Sequence, residues 1–252
     1  MIKQYLYSLK SPAGAVSPDS AYKAYAWLLN QIPEEYADAV HENSDSVLNH
    51  GIYLDRTQDR HIWKINLMNE DAARLFDEVL TEKISVTLGS SEVSAERIAV
   101  KEILSAEDII LDSVKSNAER TRTVLHFLTP TAFKQRGKYR ILPDERLILQ
   151  SLISRWNLCC PDYPLMDEDA FSFLENGLSI VNYRLSSARY SLKNARIPGF
   201  CGDIVIESHL PEAMEEIWQI LVNFSSYCGI GIKTSLGMGS VSAEHSSGIR
   251  KT

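Results

Sequence analysis

The stretch GIYLDRTQDRHIWKINLMNEDAARLFDEVL, residues 51–80, switches from strand to helix periodicity. GIYLDR and RHIWKINL flank a short polar turn, the pattern of a β-hairpin. NEDAARLFDEVL then places its apolar residues at helical spacing. Working outward, IKQYLYSL (2–9) predicts an N-terminal strand, and DSAYKAYAWLLNQI (19–32) an amphipathic helix with an Asp or Ser cap. PEEYADAVHE (33–42) predicts a second short helix with Pro33 in its first turn. EKISVTLGSSEVSAERIAVKEIL (82–104) supplies one or two closing strands. The order is βαββαβ, the ferredoxin-like unit.

After a bridge at SAEDIILDSVKSNAER (105–120) the same order begins again, less regularly. RTRTVLHFLTP (120–130) reads as a strand, and PDERLILQSLISRWNL (143–158) and MDEDAFSFLENG (166–177) as helices. LSIVNYRLSSARYSL (178–192) and FCGDIVIESHL (200–210) read as strands, PEAMEEIWQILVNFSSY (211–227) as a helix, and MGSVSAEHSS (238–247) as a closing strand. The expected fold is therefore α+β, two tandem ferredoxin-like domains, residues 1–115 and 116–252. Trp27, Phe76, Trp156 and Trp218 fall at helical spacing and are expected in the cores.

No stretch approaches the roughly 20 apolar residues of a membrane span, and the first residues lack the apolar core of a signal peptide. A cytoplasmic protein is expected. Cys159, Cys160, Cys201 and Cys228 have no CxxC or zinc-site spacing and read as buried thiols. The formal charge of −7 argues against a polyanionic partner, but the average hides an asymmetry. Residues 1–115 hold 11 Lys+Arg against 19 Asp+Glu, whereas 116–252 hold 15 against 14. Eight Lys+Arg lie within 120–155 alone, so a bound polyanion is expected mainly there. Lys134, Arg136, Lys138 and Arg140 alternate through KQRGKYR, and at strand period they fall on one face. Arg184, Arg189, Lys193 and Arg196, beside Tyr183 and Tyr190, form a second basic set.

GIGIKTSLGMGS (229–240) holds Gly229, Gly231, Gly237 and Gly239 around a single Lys233. It is no Walker loop, because Ile232 rather than glycine precedes Lys233 and a helix leads in. It is no dinucleotide fingerprint either, since Thr234 stands where the third glycine would fall. What remains is backbone that can approach phosphates or bases closely, with one added cation, or a helix-to-strand turn with no ligand.

A glycine-rich loop with a basic residue, placed between the last helix and last strand, resembles the C-terminal signature of the RAMP superfamily of CRISPR-associated RNA-binding proteins. HFLTPTAFKQRGKYRILPDERLILQSLISRWN (126–157) is similar to the mid-chain block of one branch, the CRISPR repeat-processing endoribonucleases. EEYADAVHE (34–42), preceded by a helix carrying aromatics, is similar to the block in which that branch keeps its histidine. The resemblance implies a tandem ferredoxin-like fold and cleavage of CRISPR precursor RNA within each repeat, without metal or other cofactor. It implies that Gly229, Gly231, Lys233, Gly237 and Gly239 hold RNA backbone, and that the hairpin with Lys134, Arg136, Lys138 and Arg140 faces an RNA stem.

Cutting RNA without metal uses the substrate's own 2′-hydroxyl as nucleophile, so the protein must align the phosphate, move a proton and stabilise charge. Histidine suits the proton transfer. The resemblance selects His41 from six histidines and pairs it with Tyr25 on the preceding helix. The sequence departs from the family in one respect. A catalytic lysine is expected shortly after the histidine, but residues 42–55 contain no Lys or Arg, leaving Arg56 or His50 as substitutes. Two other functions compete: a RAMP protein that binds guide RNA within an interference complex without cutting it, and a nucleotide- or metabolite-binding ferredoxin-like protein. The expected partners are CRISPR repeat RNA and, for the non-cutting alternative, other CRISPR-associated proteins. No membrane is expected, and the chain is expected to be a monomer or homodimer.

Overall fold

The chain is described by a computed structural model, which covers residues 1–246 except 13, 15, 43–46, 104, 116–121, 166 and 194. The ends of the expected bridge and closing strand, and the start of the strand from 120, lie outside these residues.

The hairpin at 51–67 forms as expected. Strands β2 (Leu48–Asp55) and β3 (Arg60–Leu67) pair antiparallel, closing at Asp55↔Arg60. The Asp55 carboxylate organises the turn by accepting from the Thr57 amide at 3.0 Å and the Thr57 hydroxyl at 2.6 Å. Strand β1 (Ile2–Lys10) pairs antiparallel with β3, from Lys3↔Leu67 to Leu9↔His61. The expected closing region makes two strands, β4 (Lys83–Leu88) and the long β5 (Ser91–Ile103). It is β5 that lies beside β1, while β4 turns back to form the edge, giving the order β2-β3-β1-β5-β4. Helices α1 (Ala21–Leu29), α2 (Glu34–Glu42) and α3 (Glu70–Asp77) connect these strands. Helix α1 buries Ala21, Ala24, Tyr25 and Leu28, one stripe at helical spacing. The Asn69 side chain caps α3 by accepting from the Ala72 amide at 2.8 Å.

The second sheet uses β6 (Arg122–Thr131), β9 (Leu178–Leu192), β10 (Ala195–Ser208) and β11 (Val241–Ser246). Its order, β11-β6-β10-β9, is the ferredoxin-like arrangement of strands 4-1-3-2. Helices α5 (Glu145–Cys159), α6 (Glu168–Gly177) and α7 (Glu212–Cys228) supply the rest of this core, including Trp156, Trp218 and Phe224. The first two are capped by Asp144 and Asp167, which accept from the Leu147 and Ala170 amides. Between the sheets runs α4 (Ala106–Lys115), whose Ile109 joins the second core together with Ile2 and Met68. The small strands β7 (Phe133–Gln135) and β8 (Lys138–Arg140) form a separate hairpin after β6.

Strand β3 is buried on both faces, unlike an ordinary edge-proximal strand of an isolated sheet. Trp63, Ile65 and Leu67 join the first core, while Lys64 and Asn66 are buried on the other face. There the Lys64 ammonium donates to the carbonyls of Ser226 at 3.2 Å and Val241 at 2.6 Å, binding β3 to α7 and β11. Asn66 donates to the Asn49 side-chain oxygen, and Asn49 donates to the Thr234 carbonyl at 3.2 Å. The two sheets are thus joined by buried polar bonds.

Of the aromatics expected in the cores, Phe76, Trp156 and Trp218 are fully enclosed, and Trp27 is partly covered against Trp63. The four cysteines are free thiols. Cys160 and Cys228 are buried as expected, but Cys159 and Cys201 are partly exposed. Burial still pushes the thiols of Cys159 and Cys201 up, to about 12 and about 11, so both are protonated at neutral pH.

His50 is fully buried, among first-half aromatics and against Ser235 of the glycine-rich turn. Its Nδ1 accepts from the Trp63 indole N–H at 3.2 Å, and its ring stacks on Tyr25 with centroids 6.2 Å apart. Burial lowers its pKa to about 4, so it is neutral in the folded chain at neutral pH.

Two stability measurements follow. A histidine whose folded pKa lies below its unfolded value makes the unfolded chain the better proton acceptor, so stability present above about pH 6.5 is lost as the pH falls toward 4. His50→Gln should flatten that part of the stability-versus-pH curve; an unchanged slope would show that His50 is not its source. Gly239→Ala should lower the melting temperature by at least ~5 °C, because φ is +65° there and a Cβ would overlap the Ile230 carbonyl oxygen. Gly137→Ala, at φ +76° with nothing within 4 Å, should cost less, and equal effects would contradict this account.

Candidate RNA-cleavage and RNA-binding site

The nine residues of α2 begin with Glu34 and Glu35, which match the helix dipole, and carry His41 in the last turn before Glu42. His41 is exposed, and the preceding helix α1 presents Tyr25 to it from a buried position, 3% exposed. The Tyr25 hydroxyl stands 3.1 Å from His41 Nδ1. With the imidazole protonated, its Nδ1–H donates to the Tyr25 hydroxyl oxygen and its Nε2–H is left for another acceptor. Tyr25 is itself fixed by its stacking on His50, so a rigid core residue orients an exposed histidine. The structure brings together the two residues that the sequence pairs as catalytic.

Neither substitute for the expected lysine occupies this place. His50 is enclosed and neutral, as above. Arg56 lies six residues beyond His50 along β2, roughly 20 Å away at strand rise, in the exposed β2–β3 turn. Residues 43–46, part of the stretch without Lys or Arg, lie outside the described residues.

The glycine-rich turn closes on the protein itself. Gly229, Gly237 and Gly239 are buried, and only Gly231, Ile232, Lys233 and Leu236 of the turn are partly exposed. The Ile230 amide donates to the Gly239 carbonyl, Gly231 to the Ser151 hydroxyl, Ile232 to the Ala132 carbonyl and Gly239 to the Pro130 carbonyl. All four glycines have positive φ, and a side chain at Gly229 or Gly231 would meet backbone oxygen at 2.7 or 2.5 Å. At Gly237 it would collide with Ala21 of α1 and the Tyr190 hydroxyl. These glycines permit close approach, and in the free chain what they approach is the chain's own backbone and, at Gly237, the Ala21 and Tyr190 side chains. Lys233, at φ +56°, begins a 3₁₀ turn, Thr234–Leu236, that lies between α1 and β2.

The hairpin β7–β8 carries Lys134, Arg136, Lys138 and Arg140, all exposed. Its turn residues Arg136 and Gly137 have φ +49° and +76°, the type I′ pattern. The expected single face does not form. A two-residue turn reverses the parity of the strand alternation, so Lys134 pairs with Tyr139, whereas Lys138 and Arg140 pair with Gln135 and Phe133 on the opposite face. Arg140 also donates to Gln135 Oε1 at 3.2 Å. In the second basic set, Arg184, Arg189, Lys193 and Arg196 are exposed on β9, its turn and β10. Tyr190 is fully buried, its hydroxyl donating to the Leu236 carbonyl, so it is an anchor rather than a ligand contact.

Among the described residues, no group of three or more histidine, cysteine, aspartate or glutamate side chains is arranged to hold a metal ion. No helix among them is long and apolar enough to cross a membrane.

The family model described as CRISPR-associated endoribonuclease Cas6 matches residues 125–241. A CRISPR-associated endoribonuclease Cas6 from Streptococcus thermophilus is 28% identical over 227 residues, 90% of this chain and 92% of the relative. One from Mycobacterium tuberculosis is 33% identical over 117 residues, 46% of this chain and 37% of the relative. Among solved structures, a Cas6 product complex superposes with a TM-score of 0.76 at 20% identity, covering 97% of this chain and 100% of that one. Thermus thermophilus Cas6 gives 0.72 at 21% identity, covering 97% and 98%. Across residues 125–241 the chain thus matches the Cas6 family model, and over most of its length it is similar in sequence and in its tandem ferredoxin-like fold to CRISPR-associated endoribonucleases Cas6.

Proposed function

We propose that this endoribonuclease cleaves CRISPR precursor RNA within its repeats, without metal, by attack of a 2′-hydroxyl on the adjacent phosphate. A bond forms between the 2′-oxygen and phosphorus, and the bond from phosphorus to the 5′-oxygen breaks. The His41 imidazolium donates its Nε2 proton to the leaving 5′-oxygen and becomes neutral, and the 2′-hydroxyl proton passes to water. The products are a 2′,3′-cyclic phosphate and a 5′-hydroxyl. The observation that carries this reading is the 3.1 Å pairing of Tyr25 with His41. It holds the direction of the imidazolium ring, with Nδ1–H on the Tyr25 hydroxyl and Nε2–H presented to the leaving oxygen, as a general acid requires. Residues 1–115 then carry the reacting pair, and 116–252 most of the cations that hold RNA. A cytoplasmic location goes with a transcript as substrate, and the monomer and homodimer both remain compatible with this mechanism.

In this reading Lys134, Arg136, Lys138 and Arg140 contact phosphates of the repeat from both faces of the hairpin, and Gly231 and Lys233 meet RNA at the partly exposed part of the turn. Gly229, Gly237 and Gly239 act on RNA through the path they impose on that turn. The alternative, a RAMP protein that binds guide RNA without cutting it, predicts tight binding of the repeat and no product.

His41→Ala should slow single-turnover cleavage of the repeat by about 10²–10⁴-fold, the usual worth of general acid–base catalysis, with little loss of affinity. Tyr25→Phe keeps the ring and should slow it less. Cleavage by His41→Ala at the wild-type rate would remove His41 from the mechanism. Replacing the four hairpin cations with Gln should weaken binding and flatten its salt dependence, by about 0.7–0.9 log units of slope for each phosphate no longer neutralised. Lys134→Gln alone and Lys138→Gln with Arg140→Gln should each contribute, because they lie on different faces. An identical slope for all variants would put the RNA elsewhere.

A further inference from the structure

Among the described residues, four non-glycine positions have positive φ: Asp59, Arg136, Lys193 and Lys233. Three are cations, and two of these, Lys193 and Lys233, flank the start of α1. Lysine gains nothing from the left-handed region, which disfavours any residue with a Cβ. At Lys193 the two-residue turn between the paired Leu192 and Ala195 imposes it, as at Arg136. Tyr190, three residues earlier on β9, is locked by its hydrogen bond to the Leu236 carbonyl and by Gly237, which packs between it and Ala21. The end of the β9–β10 hairpin is thereby pinned to the first turn of α1. Lys193 is exposed, with its ammonium 6.0 Å from the centre of the Tyr22 ring. Tyr25 lies three residues further along the same helix, so it and Tyr22 are neighbours on the helix surface. The cation therefore leans on a ring whose neighbour one helical turn on is the tyrosine that meets His41.

We propose that Lys193 binds a backbone phosphate flanking the cleaved bond, supplying from the second half of the chain a positive charge at the His41–Tyr25 pair. This rests on the reading of that pair as the reacting residues. The site's other candidates do not serve: His50 is enclosed and neutral, and Arg56 is at the far end of β2. A lysine whose stem leans on an aromatic ring has its ammonium pre-positioned, while its exposure leaves the charge free for an incoming anion. The Asp19 carboxylate lies in the same region, adding to the burial that raises the Tyr190 pKa, so an unoccupied Lys193 is not isolated in a purely positive field. RNA held by Lys193 would pass over the first turn of α1 on its way to His41.

The test is a double-mutant cycle between protein and RNA. The probe is repeat RNA made uncleavable by a 2′-deoxy sugar at the cut site, carrying a single methylphosphonate at the scissile phosphate or at one of the phosphates beside it. With the wild-type chain, neutralising one flanking phosphate should weaken binding about 10-fold. With Lys193→Ala, whose melting temperature should equal wild type, the same methylphosphonate should cost nothing further. Lys193→Arg should restore the penalty. If the losses from Lys193→Ala and from every methylphosphonate simply multiply, the proposal is overturned. Cleavage of unmodified repeat is read in parallel. Loss of coupling while wild-type cuts and His41→Ala does not sinks Lys193 alone. No cleavage by wild type sinks the reading of the reacting pair, whatever the binding data give.

Discussion

The arrangement depends on one buried charge. The Lys64 ammonium is withdrawn from water at the centre of β3, 4% exposed, and burial lowers its pKa to about 8. A cation so placed is costly unless it is paired or well hydrogen-bonded. Here it meets the carbonyl of Ser226, in the last turn of α7 where the helix dipole is negative, and the carbonyl of Val241, where β11 begins. These are the two ends of the glycine-rich turn. By holding both ends against the first sheet, Lys64 sets where the turn lies relative to β2 and α1, and so where Lys233 and the β9–β10 hairpin stand relative to Tyr25 and His41.

Rigidity is graded accordingly. Tyr25, His50 and Trp63 are enclosed and mutually stacked or hydrogen-bonded, whereas His41 is exposed at a helix end and touches that set through one hydroxyl. This suits proton transfer to a large flexible substrate: the ring's direction is fixed by the protein, and its reactive nitrogen faces solvent. The cations proposed to meet RNA follow the opposite rule. They sit at exposed hairpin turns, where charge is solvated and phosphate contact displaces counterions.

Much of the fold was legible because its determinants are local. The 51–80 stretch alternates and then turns helical, and the structure follows it through Asp55 at the turn and Asn69 at the cap. The strand Leu178–Leu192 has the limits read from its sequence. What was hidden is tertiary. The sequence LNHGIYLD does not reveal that His50 ends between Tyr25 and Trp63, nor that the even residues of RHIWKINL face a second sheet. KQRGKYR suggested one basic face because alternation was counted through Arg136 and Gly137, whose positive φ values reverse it; the RG pair itself was the missed signal. The glycines signalled close approach correctly, but whether the neighbour is phosphate or protein backbone depends on Pro130, Ala132 and Tyr190, which are distant in sequence.

The central claim is that the RNA supplies its own nucleophile and the protein a proton through His41. It is tested most directly by the chemistry of the ends that purified chain leaves on its repeat RNA in excess EDTA. The account predicts undiminished cleavage, a 5′-hydroxyl on the downstream fragment and a 2′,3′-cyclic phosphate on the upstream one. A 5′-phosphate with a free 3′-hydroxyl, or cleavage abolished by EDTA, would mean that water or a metal-bound hydroxide attacks, and would contradict it.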